Sequence, residues 1–497
     1  MKKPELISPA GTLEKLKIAF EYGADAVYAG VPDFSLRARI NEFDYKKMRQ
    51  GVKYAHERGK KVYATLNIYA RNSDLKKIET AVKKYHLIGV DAVIVSDPGI
   101  LKAVKKIAPK MEIHLSTQAN CTNFEAAKFW MEQGVKRIVL AREITLDEIA
   151  EIHKKLPRLE LEYFVHGAMC MSYSGRCILS KWLSGRSANL GECSQPCRWE
   201  YDIESHPLPL PSARSGQAFV KGGNKENAME IEEDKNGTYI FNSKDLCLIE
   251  HLDKLWKAGI TSFKIEGRTK SAYYVAAITK LYREGIYNIF KFKTPQPPFE
   301  KGGVKEECKE GGIKEYFEKW EIKYAPPKGW KFELEKITNR GYTTGFLFGE
   351  EKCEHNFLRS HEECEWQFVG EVVEEGRILN FKSIRQAQDK LKILKKDQIS
   401  NDKFKKWEDG EEVREGKEGI ENKIYIKIHN ALCVGDEVEF VVPRGENMKM
   451  KIKKMYDTED GAEIKEAHGG QGRIIFLRTD KIIPERSMVR RKIITNA

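Results

Sequence analysis

Roughly the first 290 residues of this chain repeat one pattern, a short apolar strand followed by an amphipathic helix. Apolar residues recur at three- and four-residue spacing in the helical segments. Eight β-branched runs that end in polar or small residues predict buried parallel strands: PELISPAG, ADAVYAGV, KVYATLNIYA, DAVIVSD, EIHLSTQAN, KRIVLAREI, LELEYFVHG and ITSFKIEGR. Thr12, Ser73, Asn123 and Thr145 are candidate N-caps. The pattern predicts an α/β fold, a (β/α)8 TIM-like barrel, with a doubly wound open sheet as the alternative.

The length of 497 residues exceeds one ordinary core, so we expect a large domain and a smaller one. We predict a catalytic barrel over 1–292 with an insertion at about 205–237, and an inserted loop and linker over 293–365. Residues 366–497, with an insertion at about 383–420, show short alternating apolar runs separated by turns. That pattern predicts a small antiparallel β-barrel domain. The insertions are rich in Pro, Gly and charge without periodicity, which favours loops.

The charge balance is basic, with 86 Lys and Arg against 74 Asp and Glu and a formal charge of +12. This fits RNA as a partner, and it fits an ordinary solvated surface equally well. Lysine-rich strands in the C-terminal domain could face RNA, although exposed strand lysines also prevent edge-to-edge pairing. No apolar run approaches the roughly 18 to 20 residues of a membrane span, and none of signal-peptide length opens the chain. We therefore expect a cytoplasmic protein with no membrane role.

Four of the ten cysteines lie in one short stretch, Cys170, Cys177, Cys193 and Cys197, with the spacing C-x6-C-x15-C-x3-C. Four thiolates are the full ligand set of a cubane iron–sulfur cluster or of a structural zinc. Zinc ligands usually form tight C-x2–4-C pairs, and only the last pair here is close to that, so the wide gaps favour a cluster. Buried or disulfide-linked cysteines are the third interpretation, but disulfides need an oxidising compartment.

Polar side chains follow most of the predicted strands, which is where barrel enzymes place their chemistry. Any one of these side chains could instead cap a helix or pair with a neighbouring loop. Because the cysteine block directly follows the seventh strand, a metal would lie at the same rim as these groups. The candidates are Arg37, Arg39, Asn67, Asp97, Gln118, Asn120, Arg142, Glu143, His166, Lys264, Glu266 and Arg268.

Several motifs together resemble the collagenase-like peptidase family U32. They are PELISPAG, HGAMCMSYSGRC with ECSQPCRW, NSKDLC, FKIEGRTKSAYYVA and NRGYTTGFLFG. The resemblance covers nearly the whole chain outside the insertions. Length and the C-terminal domain are most similar to the branch that hydroxylates the wobble uridine of tRNA with prephenate, rather than dioxygen, as hydroxyl donor. That branch is similar to quinone and ribosomal-RNA hydroxylation proteins, whose relatives carry a [4Fe–4S] cluster on the equivalent four cysteines.

The resemblance implies a tRNA-modifying hydroxylase that uses a [4Fe–4S] cluster and prephenate, and it leaves room for a homologous partner chain. Prephenate is a dicarboxylate, and arginine binds carboxylates through two hydrogen bonds, so Arg37, Arg39, Arg142 and Arg268 are the expected clamp. His166 and Glu266 are the candidates for proton transfer at C5 of the uracil, with Arg268 completing the predicted catalytic set. The other predicted substrate-binding residues are Asn67, Gln118, Asn120 and Lys264.

Two other classes of function stay open. A peptidase would be expected to show a G-x-S-x-G or H-E-x-x-H motif, and neither occurs, but His166 could form a dyad with a cysteine in space. A non-catalytic RNA-binding or assembly factor would use the metal structurally. The sequence does not separate the tRNA reaction from the ribosomal-RNA or quinone versions.

Overall fold

The chain divides into two compact units, residues 1–363 and 364–497. A computed structural model describes residues 2–31, 43–170, 172–173, 176–187, 193–198, 242–290, 299–300, 303–304, 324–349, 361–374, 422–470 and 472–493. None of the helices in these ranges is long and apolar enough to cross a bilayer.

Eight parallel strands of the first unit close into a barrel. Each of these eight strands pairs with the barrel strand that follows it, and the eighth also pairs with the first, which closes the barrel. The strands of this unit are β1 (Glu5–Pro9), β2 (Ala26–Ala29), β3 (Lys61–Leu66), β4 (Ala92–Val95), β5 (Glu112–Leu115), β6 (Arg137–Val139), β7 (Glu160–Ala168), β8 (Asp245–Cys247), β9 (Ile260–Ile265), β10 (Phe299–Glu300), β11 (Gly303–Val304) and β12 (Tyr342–Thr343). The barrel consists of β1 to β7 and β9, so the predicted (β/α)8 fold is confirmed and the open sheet is wrong.

Helices alternate with the barrel strands. They are α1 (Leu13–Glu21), α2 (Tyr45–His56), α3 (Leu75–Ile88), α4 (Pro98–Ile107), α5 (Phe124–Glu132), α6 (Leu146–Lys155), α7 (Leu179–Ser184), α8 (Leu252–Lys257), α9 (Ala272–Phe290) and α10 (Trp330–Glu335). Thr12, Asn123 and Thr145 each accept a hydrogen bond from a backbone N–H of the first turn, as expected of N-caps. Ser73 is not a cap, because it lies in a 3-10 turn over Asn72–Asp74 that precedes α3.

A short strand pair extends the barrel beside β7. Strand β8 runs antiparallel to the end of β7, with His166 opposite Cys247, and β12 pairs in parallel with β8. The Arg340 guanidinium bonds to the Asp245 carboxylate, with Nε 3.1 Å from Oδ1. Residues 324–349, part of the predicted loop and linker over 293–365, contribute a helix and a strand to the first unit.

The second unit is an antiparallel β-domain, as predicted. Its main sheet has the strand order β17-β16-β22-β13-β14-β21-β18-β19, and β15 pairs with β20. Its apolar core includes Val369, Ile426, Phe440, Ile475 and Val489. The strands are β13 (Trp366–Val373), β14 (Asn422–Ile428), β15 (Leu432–Cys433), β16 (Glu437–Val441), β17 (Met448–Lys451), β18 (Met455–Asp457), β19 (Glu463–Ile464), β20 (Glu466–Ala467), β21 (Ile474–Thr479) and β22 (Met488–Lys492).

Candidate active site

An ion pair lies at the mouth of the barrel, beyond the carboxyl ends of β6 and β9. Arg142 Nη2 donates to Glu266 Oε2 at 2.9 Å, and both side chains are nearly buried. The Arg142 guanidinium also lies 4.2 Å from the centre of the Phe164 ring. These contacts fix a carboxylate and a cation at the rim where barrel enzymes react.

A second arginine reaches the same mouth from the loop after β9. Arg268 is buried, and its Nη1 donates to Thr65 Oγ1 at 3.2 Å. Its guanidinium carbon is 5.7 Å from the centre of the Tyr28 ring. The Tyr28 hydroxyl donates to Ile265 O at 3.0 Å. Arg268 therefore spans from β9 to β2 and β3. Arg37 and Arg39, the other two predicted clamp residues, lie outside the described residues.

Amide and hydroxyl side chains line the mouth above β3, β4 and β5. Asn67 Nδ2 donates to Ser116 Oγ at 3.4 Å, and Ser96 Oγ donates to Gln118 Oε1 at 3.1 Å. Asn67 is 9% exposed, and its Oδ1 has no hydrogen-bond partner among the described residues. A buried acceptor of this kind is costly unless a donor reaches it. The group is thus able to accept a hydrogen bond from a ligand.

Asn120 serves the turn after β5. Its backbone is left-handed, with φ +52°, and its Nδ2 donates to Gln118 O at 2.9 Å. Asn is one of the few residues that adopt this conformation at small cost. These contacts give Asn120 a role in shaping the loop that carries Gln118.

Lys264 belongs to an ion network inside the barrel. Its Nζ lies 2.6 Å from Glu162 Oε1, and Arg137 Nη1 lies 3.3 Å from the other Glu162 oxygen. Burial alone would raise the pKa of Glu162, but Lys264 and Arg137 hold it below its ordinary value. Glu162 and Arg137 were not among the predicted site residues, although charged residues inside the apolar runs LELEYF and KRIVL indicate such a network.

The imidazole of His166 lies among aromatic rings. Its ring centre is 5.3 Å from that of Tyr282, 5.7 Å from that of Tyr342 and 6.0 Å from that of Tyr274. Because the Tyr282 hydroxyl donates to Val165 O at 2.7 Å, it accepts from His166 Nδ1, which is 3.2 Å away. Burial lowers the pKa of His166 to about 3, so the ring is neutral at physiological pH.

The register between β7 and β9 shifts between Phe164 and His166. Such an irregularity redirects the side chains beyond it. The backbone of His166 still accepts from Glu266 N at 2.8 Å. These contacts favour a supporting role for the imidazole and leave Glu266 as the carboxylate available for proton transfer at the mouth.

The loop after β7 carries the four cysteines, and none of them is in a disulfide. Ser194 N donates to Ser180 Oγ at 2.9 Å, and the Ser194 hydroxyl lies 2.7 Å from Ser184 Oγ. Gln195 N donates to Cys193 Sγ at 3.4 Å. These hydrogen bonds hold the turn that carries Cys193 and Cys197 against α7. Helix α7 begins directly after Cys177 and Ile178.

Four free thiols on one loop have the donor chemistry of an iron–sulfur cluster. Their sulfur atoms are not gathered into one group, because no three His, Cys, Asp or Glu side chains within the described ranges could together hold a metal ion. Cys170 and Cys193 are exposed, and Cys177 and Cys197 are half-buried. The donor set thus has the chemistry of a cluster site, but its sulfur atoms, all on described residues, are not arranged as one in this structure.

Family models match both units. The model described as peptidase family U32 matches residues 11–357, and that of the peptidase family U32 C-terminal domain matches residues 410–490. The chain belongs to peptidase family U32. The resemblance seen in the motifs is thus confirmed.

Curated U32 relatives share most of the chain. The tRNA hydroxylation protein P of Haemophilus influenzae is 34% identical over 97% of this chain and 94% of that protein. The protein of the same name from Escherichia coli is 40% identical over 76% of this chain and 82% of that protein. A 23S rRNA 5-hydroxycytidine synthase of Escherichia coli is 36% identical over 56% of this chain but only 39% of that protein.

Proposed function

We propose that this U32 protein is an RNA-modifying hydroxylase that converts the wobble uridine of tRNA to 5-hydroxyuridine. The main support is that the barrel mouth carries Arg142, Glu266, Arg268 and the buried Asn67 amide acceptor, in a chain that aligns over almost its full length with a tRNA hydroxylation protein. A site at the rim of a barrel is also where a base drawn out of an RNA loop can enter.

The Asn67 amide suits the edge of a uracil. Uracil presents N3–H as a donor, and Asn67 Oδ1 is a buried acceptor without a partner among the described residues. Ser116 Oγ accepts from the amide nitrogen and so fixes which way the amide points. The base would have to leave the stacked anticodon loop to reach this group, as in other enzymes that modify bases.

The arginines suit a dicarboxylate hydroxyl donor, for which we propose prephenate. Arg268 would bind a carboxylate of the donor, with Arg37 and Arg39 as further candidates, while Arg142 orients Glu266. In the reaction the C5–H bond of uracil is replaced by C5–O, and the C–O bond of the donor is replaced by C–H. The two-electron oxidation of uracil therefore equals the two-electron reduction of the donor, and Glu266 would carry the proton from C5 to the donor carbon.

Cys170, Cys177, Cys193 and Cys197 would hold a [4Fe–4S] cluster on the loop after β7. Such a cluster supplies one-electron chemistry when bound, and with four cysteine ligands it leaves no iron open to substrate. The hydrogen bonds between Ser194 and both Ser180 and Ser184 would hold Cys193 and Cys197 in place.

A peptidase has less support within the described residues. Cys247 lies opposite His166 in the β7–β8 pair and is therefore the candidate cysteine for a dyad with that histidine. Desolvation raises the pKa of the Cys247 thiol to about 11, and the thiol contacts the Tyr282 hydroxyl at 3.7 Å. A protonated thiol beside a histidine of very low pKa is a poor nucleophile pair.

The test is mass spectrometry of tRNA nucleosides. The tRNA is taken from a strain that lacks the gene for this protein and any redundant hydroxylation pathway. We expect the wild-type gene to restore 5-hydroxyuridine, and Glu266→Gln and Arg268→Ala to fail. Glu151→Gln is the matched control, because Glu151 pairs with Lys155 on the exposed side of α6. Full levels of 5-hydroxyuridine in both mouth variants would show that the reaction occurs elsewhere.

A further inference from the structure

The sheet of the second unit has an outer face opposite its apolar core. Along β14 the residues Ile424 and Ile426 enter the core, while Lys423, Tyr425 and Lys427 alternate with them on the other face. Successive side chains of a strand point to opposite faces, so the three polar or aromatic residues share one surface.

Two neighbouring strands extend this surface. On β21 the core residues Ile475 and Leu477 alternate with Phe476 and Arg478, and on β18 Tyr456 follows the core residue Met455. The register pairs Phe476 with Tyr425 on one side and with Tyr456 on the other. We call Lys423, Tyr425, Tyr456, Phe476 and Arg478 the aromatic face.

The rings and cations of the aromatic face contact one another. The Tyr456 and Phe476 rings are stacked, with centres 5.0 Å apart and planes 15° apart, and Tyr425 lies 5.9 Å from Phe476. Lys423 Nζ is 5.3 Å from the centre of the Phe476 ring, and the Arg478 guanidinium carbon is 5.2 Å from the centre of the Tyr456 ring. Lys423 and Arg478 are exposed, and the two tyrosines are half-buried.

We propose that the aromatic face binds a single-stranded segment of RNA, with bases stacking on Tyr425 and Tyr456 and phosphates pairing with Lys423 and Arg478. The inference rests on the proposed function for the identity of that RNA, which is the tRNA substrate. Sheet faces that bind single-stranded nucleic acid combine rings on adjacent strands with flanking positive charge.

Cross-strand aromatic pairs also stabilise a sheet without any ligand. That role accounts for Phe476, which is 9% exposed under its neighbours. It does not account for two exposed cations beside the half-buried tyrosines, and a phosphate backbone complements that charge. An apolar protein partner would not complement the positive charge of Lys423 and Arg478.

The experiment measures binding of purified full-length protein to unmodified tRNA by fluorescence anisotropy over a series of salt concentrations. We expect Tyr456→Ala and Tyr425→Ala each to raise Kd about fivefold or more. Lys423→Gln and Arg478→Gln should each lower the slope of log K against log salt by about one.

Two controls separate the aromatic face from general effects. Tyr54→Ala removes a half-buried tyrosine of α2 that also has two cations over its ring, Arg58 at 3.6 Å and Lys17 at 5.1 Å. Lys451→Gln removes an exposed lysine of β17 in the same unit. Both should bind tRNA as the wild type does. If Tyr456→Ala fails to fold, Tyr456→Leu retains apolar cover over Phe476 without a stacking ring and is used instead.

Unchanged Kd in both folded tyrosine variants would overturn the inference. The same samples are assayed for 5-hydroxyuridine formation, which separates the two proposals. Product formed by wild type with unchanged binding in the variants would reject the aromatic face alone. Weakened binding in the variants with no product from iron-loaded wild type would reject the proposed function and keep the RNA-binding face.

Discussion

Two carboxylates, the buried Glu162 and the nearly buried Glu266, have different roles because they lie at different places in the barrel. Glu162 lies inside the barrel against Lys264 and Arg137, whereas Glu266 lies at the mouth in an ion pair with Arg142. The Glu162 carboxylate is almost fully buried and lies between two cations. The Glu266 carboxylate is placed where a substrate can meet it.

Removing Lys264 should destabilise the fold. Lys264→Met leaves the buried Glu162 carboxylate with one cation fewer, which we expect to cost about 3 kcal/mol of unfolding free energy. Urea unfolding followed by circular dichroism measures this. Lys136→Met is the control, because Lys136 is exposed although it also pairs with carboxylates. A stable Lys264→Met protein with a raised KM would instead make Lys264 a substrate ligand, as the sequence predicted.

His166 should make the protein sensitive to acid. Its pKa is about 3 in the folded chain and about 6.5 in the unfolded chain, so between these values the unfolded chain binds more protons. Stability therefore rises with pH through this window and is lost as the pH falls, by about 2 kcal/mol between pH 7 and pH 5. Unfolding curves of His166→Gln should lack this part of the dependence, and those of His86→Gln, on the exposed side of α3, should retain it. An unaltered slope in His166→Gln would contradict the burial argument.

At the scale of elements, the junction of β7 and β9 positions the mouth. Gly167 has φ +114°, and a Cβ there would lie 2.6 Å from Glu266 O and 2.8 Å from Glu266 Cβ. Only glycine adopts this backbone and leaves this space. The close approach of the two strands thus depends on one residue without a side chain.

Gly167→Ala should reduce both stability and activity, because it displaces Glu266. Gly59→Ala is the matched control, since Gly59 also has positive φ, +63°, but a Cβ there would meet nothing within 4 Å. We expect Gly59→Ala to cost about 1 kcal/mol with unchanged kcat. Thermal unfolding and hydroxylation assays measure the two effects. Equal behaviour of the two variants would show that the close approach is unimportant.

The cysteine loop carries its own prediction. Protein purified without oxygen should contain about four irons and four sulfides per chain. Cys193→Ala should lose the iron, whereas Cys433→Ala, a free cysteine of β15 in the second unit, should retain it. Stoichiometric zinc in place of iron would reject the cluster.

The strands were predictable because each is a short β-branched run bounded by polar or small residues. The mouth could be predicted as a set, since residues after parallel strands converge at one rim. The contact partners of these side chains could not be predicted from the sequence. The register shift that surrounds His166 with tyrosines, the pairing of Arg340 with Asp245 and the engagement of Lys264 with Glu162 all depend on residues distant in sequence. Local pattern carries no information on which of these pairs meet.

At the scale of the whole molecule, the two units have different chemistry. The barrel unit gathers a carboxylate, arginines, an amide acceptor and the cysteine loop at or beside one rim. The β-domain offers rings and cations on a sheet face. Catalysis and RNA binding would therefore be carried by separate parts of the chain.

We propose that this U32 protein hydroxylates uridine in tRNA. The most direct test of this proposal incubates iron-loaded protein anaerobically with unmodified tRNA and prephenate, and measures tRNA nucleosides by mass spectrometry. We expect 5-hydroxyuridine at the wobble position, formed only when prephenate is present and absent with Glu266→Gln. Unmodified uridine after prolonged incubation with folded protein that binds the tRNA would contradict it.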